Sequence, residues 1–145
     1  MTENDDTLKL LRECDAGIKM GIASLEDVIS SANDLALEQR LKQSKTEHEQ
    51  LRSETEKLLN AIPDKGKSPN PAAKTMSHLK TKAVTALDSS DHAVARLITK
   101  GCDMGVSSLN KYLDKYSLAD NASRSLACKI INEEEQLAAF LKSYM

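Results

Sequence analysis

The residues best suited to chemistry are one histidine and two acids that interrupt otherwise aliphatic helical stripes. The spacing of the neighbouring apolar residues directs Asp15, His48 and Glu134 toward a helical interior. Charged groups stay in an apolar core only when they are paired or bound to a metal, because removing an ion from water is costly. The sequence therefore offers two interpretations: a single divalent iron, manganese or zinc ion held by these three side chains, or a hydrogen-bonded cluster. It favours the cluster.

Apolar residues recur in steps of three and four along the first half of the chain, which is typical of amphipathic helices. The first helix is predicted over residues 7–30, with Asp5, Asp6 and Thr7 favourable at its start. The second is predicted to begin after a cap at Asn33 or Asp34 and to run to about residue 61. The short turn between them predicts an antiparallel hairpin over residues 7–62.

The second half begins after the one clear linker, in which all three prolines lie within residues 63–71. A shorter amphipathic segment over residues 71–87 is either a separate crossover helix or the first part of the next helix. The third helix is predicted over residues 91–115, and a capping box at Ser117–Asp120 is predicted to open the fourth, which runs to the C-terminus. Residues 91–145 form the second predicted hairpin, residues 63–90 form the linker and short helix, and residues 1–145 form one domain.

Two short sequence motifs occur in both predicted hairpins. The segment MGIASL at residues 20–25 matches MGVSSL at 104–109, and EHEQL at 47–51 matches EEEQL at 133–137. The offsets are 84 and 86, so the order is preserved. A duplicated hairpin is predicted, and the alternative is chance similarity between helices rich in Ala, Ser, Glu and Leu. Glycine is unfavourable inside a helix by about 1 kcal/mol relative to alanine, so the matched Gly21 and Gly105 predict close approach between helices.

Counting from the predicted turns places the polar residues at one height. Asp15 and His48 are equally far from the turn near residue 31, and a second turn near residue 116 places Glu134 level with Thr99. The repeat offset of 84 also selects Thr99 as the equivalent of Asp15. The sequence thus predicts one polar layer across the middle of the bundle.

These repeated motifs and the four-helix order resemble the ferritin-like superfamily, and within it uncharacterised bacterial families that have two hairpins and an intervening short helix. The resemblance implies an all-α ferritin-like four-helix bundle. Metal-binding members hold a di-metal carboxylate centre with a Glu on each of two helices and a Glu-x-x-His on each of the others. That pattern is degenerate here, since Lys45 and Ile131 stand where the motif acids belong and Thr99 replaces a carboxylate. A non-enzymatic scaffold or interaction protein is therefore expected, without a cofactor. The alternative is a divalent-metal-binding or oxidoreductase-like protein that uses a degenerate single-metal site.

The composition limits which binding partners and which cellular compartment are expected. The 20 basic and 22 acidic residues give a net charge of −2 without a basic patch, which argues against nucleic acid. No apolar run reaches the length of a membrane span, and the three cysteines form no CxxC pair, so a reducing cytoplasm is expected. An apolar stripe on the short helix predicts a homo-oligomer, most simply a dimer; its residues are Met76, Leu79, Val84 and Leu87.

Other reactive side chains are expected to be structural. Cys14 and Cys102 are predicted to be small buried hydrophobic residues. Surface positions are predicted for two histidines and for the acids on either side of Glu134; these residues are His78, His92, Glu133 and Glu135.

Overall fold

Four long α-helices make up the computed structural model, which describes residues 2–63 and 90–145. Helix α1 spans Glu3–Ile29, α2 spans Leu35–Asn60, α3 spans Asp91–Lys115 and α4 spans Asn121–Leu141, which a 3₁₀ turn follows at Lys142–Tyr144. No strand is present in this part of the chain. The all-α prediction is confirmed, and the predicted short helix at 71–87 lies outside the described residues.

The first helix begins at Glu3, earlier than the predicted residue 7. Thr2 and Asp5 form a reciprocal capping box, in which the Asp5 amide donates to Thr2 Oγ1 at 3.2 Å and the Thr2 amide donates to Asp5 Oδ2 at 3.4 Å. This pair satisfies two of the backbone amides that a helix start leaves without partners. Asp6 and Thr7 are therefore not caps, and both side chains are buried.

The other three helices each begin after a single capping side chain. Asp34 accepts from the amide of Leu37, which confirms one of the two predicted caps, and Ser90 caps α3. The prediction of a capping box at Ser117 is wrong, because Asp120 itself caps α4 by accepting from the amide of Ser123 at 2.9 Å. An aspartate at this position satisfies the amide directly, so no partner from Ser117 is needed.

The turn between α1 and α2 is fixed by the start of α3. The two carboxylate oxygens of Asp91 accept from the amides of Asn33 and Asp34, at 2.7 and 3.0 Å. Helix α3 therefore begins beside the end of α1 and runs antiparallel to it. Helix α2 returns to the other end of the bundle. The end of α2 and the start of α3 therefore lie at opposite ends.

The turn between α3 and α4 is fixed in the same way by the start of α1. Asp6 Oδ2 accepts from the amide of Leu118 at 2.9 Å, and Thr7 Oγ1 accepts from the amide of Asp120 at 2.8 Å. Asp6 and Asp91 are 85 residues apart, close to the offsets of the repeated sequence motifs. The two hairpins thus make reciprocal turn contacts, which supports the predicted duplication.

The helices bury two apolar clusters at opposite ends of the bundle. One joins the first part of α1 to the second part of α2, and the other joins the opposite parts of the same helices. Between the clusters lies a set of polar side chains on α2 and α4, which we call the polar layer: Arg40, Ser44, Glu47, His48, Glu133 and Glu134. Cys102 of the second apolar cluster borders this layer on α3.

Candidate functional site: the polar layer

His48 is the centre of the polar layer and only 2% exposed. Its Nδ1 donates to the carbonyl oxygen of Ser44, one turn earlier on α2, at 2.7 Å. Its Nε2 donates to Glu134 Oε1 on α4 at 2.5 Å. A carbonyl and a carboxylate can only accept, so both ring nitrogens carry hydrogen and the side chain is an imidazolium paired with a carboxylate.

The electrostatics of the pair favour this charged form. Burial acts to lower the pKa of His48, but the hydrogen bond and the negative charge of Glu134 outweigh it, and the pKa of His48 is raised above its ordinary value. Because the folded protein holds this proton more tightly than the unfolded chain, the contribution to stability is present at acidic pH and is lost as the pH rises through the folded pKa.

Two glycines make room for this pair, one on each hairpin. A Cβ at Gly21 would lie 3.0 Å from His48 Cδ2 and 3.2 Å from Nε2, so the ring rests against the bare backbone of α1. A Cβ at Gly105 would lie 3.9 Å from the Glu134 side chain, an ordinary contact. The close helix approach expected at the glycines is therefore present at Gly21 and relaxed at Gly105.

A second interaction across the layer joins two carboxylates. Glu47 of α2 and Glu133 of α4 lie close enough for their carboxyl groups to share a hydrogen bond, and Glu133 is 7% exposed. Two carboxylates can share a hydrogen bond only when one of them holds a proton. The prediction that Glu133 faces solvent is therefore wrong, whereas Glu135 is exposed as predicted.

Glu133 holds that proton because of its surroundings. Burial and the adjacent Glu47 raise the pKa of Glu133 to about 7, while the pKa of Glu47 is lowered, first by the hydrogen bond from Glu133. An unfolded glutamate titrates near pH 4.3, so the folded state binds an extra proton between about pH 4.5 and 7. Stability from this group is complete below that window and is lost as the pH rises through about 7.

Arg40 places a positive charge beside this carboxylate pair. Its guanidinium donates to Ser44 Oγ and lies over the ring of Phe140, with Cζ 5.9 Å from the ring centroid. Its Nη1 lies 3.9 Å from Glu133 Oε2, too far for a hydrogen bond but close enough to attract it. Contact with an aromatic face stabilises the guanidinium where it is largely withdrawn from water.

The thiols are arranged for packing rather than reaction. Burial, the charge of Glu134 and a hydrogen bond to that carboxylate all raise the pKa of Cys102. Burial raises the pKa of Cys14 to about 12, with a further contribution from neighbouring acids. A thiolate is the reactive form, so neither cysteine is prepared as a nucleophile at neutral pH. Both are buried as predicted, and His92 is exposed.

The structure brings together His48 and Glu134 but does not place Asp15 with them. The Asp15 carboxylate binds Lys19 on its own helix at 2.8 Å. Helical side chains lean toward the N-terminus of their own helix. Asp15 and His48, on antiparallel helices, therefore lean apart even when their backbones are level, and His48 meets Gly21 instead.

Thr99 is likewise outside the layer's hydrogen bonds. Its Oγ1 is buried and has no hydrogen-bond partner among the described residues. The turn between α3 and α4 is centred later than residue 116, because α3 ends at Lys115 and α4 begins only at Asn121. Glu134 therefore meets Cys102 and Gly105, which lie closer to the turn than Thr99.

The arrangement can hold protons and pair charges. Across residues 2–63 and 90–145, no group of three or more His, Cys, Asp or Glu side chains is placed to hold a metal ion. The same residues contain no helix long and apolar enough to cross a membrane.

Comparison with known proteins gave no family model, no curated protein and no solved structure that matches this chain.

Proposed function

We propose that this protein is a non-enzymatic helical scaffold or interaction protein, and that its polar layer is a structural ion-pair network. The observation that carries the proposal is the saturation of His48: both ring nitrogens are used, by Ser44 and by Glu134. A metal ligand or a general base needs one nitrogen with a free lone pair. The raised pKa of Cys14 and Cys102 also argues against nucleophilic chemistry.

A ferritin-like topology is part of the proposal. The described helices run up, down, down and up, since α3 is antiparallel to α1 and begins at the end of the bundle opposite to the end of α2. One long crossover between the second and third helices is the arrangement of ferritin-like bundles. Cytoplasmic location and assembly into a dimer also belong to this proposal, and the apolar stripe expected to form the dimer lies outside the described residues.

Elemental analysis of protein purified without a histidine tag tests the network against the metal alternative. We expect no stoichiometric metal, and we expect His48→Ala to lower the midpoint of thermal unfolding because it leaves the half-buried Glu134 carboxylate without its partner. His92→Ala is the matched control, since His92 is exposed. Stoichiometric iron, manganese or zinc that persists in the His92 variant and is lost in the His48 variant would establish the metal alternative.

Light scattering tests the assembly. A dimer at micromolar concentration is expected, and a monomer at every concentration up to the solubility limit would contradict the dimer.

A further inference from the structure

The two pairs at the centre of the polar layer share an unusual property. Glu47 contacts Glu133, and His48 contacts Glu134; in both pairs the partners are 86 residues apart, which is the offset of the repeated motif. Each residue therefore meets its own equivalent from the other hairpin. Residues meet their equivalents only where a two-fold axis passes between them. A local two-fold axis thus passes between α2 and α4 at this point.

The ends of the bundle obey the same relation. Asp91 accepts from the turn at Asn33 and Asp34, and Asp6 accepts from the turn at Leu118, so each hairpin holds the turn of the other with an equivalent aspartate. A self-complementary interface of this kind is what two copies of a single hairpin would form. The same interface could therefore form between two first hairpins, between two second hairpins, or between one of each. Only the residues on the axis distinguish these pairings.

We propose that His48 and Glu134 are specificity-determining residues of this interface: they let a first hairpin pair with a second hairpin, of the same chain or of a second copy, and they prevent the pairing of like hairpins. Two first hairpins would place two imidazolium groups against each other on the axis, and two second hairpins would place two carboxylates there. Two imidazolium groups, or two carboxylates that are both ionised, repel each other strongly out of water, whereas the mixed pair is hydrogen-bonded at 2.5 Å. The inference does not depend on whether the protein acts as a scaffold.

Full-length variants test the charge relation directly. His48→Glu places two carboxylates on the axis, Glu134→His places two imidazoles there, and the double variant restores an opposite pair with its order reversed. We expect the thermal midpoint to fall by about 10 °C in His48→Glu, to fall less in Glu134→His, and to recover by at least half of the larger loss in the double variant.

The pH dependence separates charge specificity from simple packing. Two histidines repel only when both are protonated, so the loss in Glu134→His is expected to grow from pH 8 to pH 5.5. Two glutamates repel when both are ionised, so the loss in His48→Glu is expected to grow from pH 5.5 to pH 8. A packing defect would give the two variants the same trend.

Exchange between chains tests the second part of the proposal. When the two single variants are unfolded together and refolded, the first hairpin of the His48→Glu chain can pair with the second hairpin of the Glu134→His chain. The two remaining hairpins then pair with their natural charges, so both axis pairs are again of opposite charge. The 30 residues between Asn60 and Asp91 could reach about 100 Å when extended, more than the roughly 40 Å length of α2, so the connection permits this exchange. Native mass spectrometry is expected to show mixed dimers well above the half that random association gives.

Three results would overturn the proposal. These are single variants as stable as the natural protein, a double variant no more stable than the weaker single variant, and a refolded mixture in which mixed dimers do not exceed the random share.

Discussion

Replacing Gly21 with alanine should not stabilise the protein, although the same change at two other glycines in its helices should stabilise it. Alanine is favoured over glycine inside a helix by about 1 kcal/mol. At Gly21 the new methyl group would lie 3.0 Å from His48 Cδ2 and 3.2 Å from Nε2. The ring cannot easily turn away, because Ser44 and Glu134 hold its two nitrogens from opposite sides.

Gly105 and Gly17 provide matched controls. A methyl group at Gly105 would make only an ordinary 3.9 Å contact with Glu134, and one at Gly17 would meet nothing within 4 Å. Both alanine variants are expected to gain about 1 kcal/mol. Overpacking in a filled site costs about 1–3 kcal/mol, so Gly21→Ala should be between neutral and about 2 kcal/mol less stable than the natural protein.

Urea unfolding followed by circular dichroism at 222 nm measures these differences through the midpoint at an unchanged slope. Gly21→Ala and Gly105→Ala should differ by about 1–3 kcal/mol in the free energy of unfolding. If Gly21→Ala stabilised the protein as much as the other two variants, the ring would not be held against α1 and the saturation of His48 would be in doubt.

Four further predictions concern the charges and thiols. Unfolding free energy should fall by on the order of 2 kcal/mol from pH 5 to pH 8, and Glu133→Gln, which stays neutral, should flatten this slope in urea titrations at each pH. Asp91→Ala should cost about 1 kcal/mol by thermal unfolding, since it frees two turn amides, and Asp91→Asn should recover part of that loss. The exposed Cys128 should react with a thiol reagent in the native protein, whereas the two buried thiols should react only at the rate of unfolding. Replacing His48 and Glu134 together by leucine should leave the thermal midpoint equal or higher; a midpoint lower by more than about 5 °C would show that the pair contributes net stability rather than specificity.

Much of the architecture follows from residue spacing. The buried faces of α1 and α2 repeat their residues in the predicted steps of three and four, although Cys14 rather than Asp15 lies on the buried face of α1, and the cap at Asp34 follows from its side-chain chemistry. The third helix has the predicted bounds, residues 91–115. Periodicity succeeds here because a helix that buries one face must repeat its apolar residues every three or four positions.

The polar layer could be predicted only in part, for two physical reasons. Counting positions from a turn gives the height of the backbone, but His48 extends about one turn toward its own N-terminus, which is why Asp15 is not its partner. A run of three glutamates suggests a solvated surface, yet Glu133 lies on the apolar stripe of Leu126, Ile130 and Leu137 and is buried with them. The spacing of the apolar stripe therefore predicts that Glu133 is buried, whereas the charge of the glutamate run predicts that it is exposed.

Duplication of the hairpin would account for the way in which polar residues are paired in the middle of this bundle. When a hairpin is duplicated and its copies pair about a two-fold axis, any residue on the axis must face its own equivalent, so an ionisable group there faces a like charge. Such a contact becomes favourable if the two groups share a proton or if one copy changes its charge. Glu47 and Glu133 illustrate the first solution, and His48 and Glu134 illustrate the second, one residue further along the same helices. Only the second solution distinguishes one hairpin from the other, and for that reason the histidine, rather than the run of glutamates, defines the pairing.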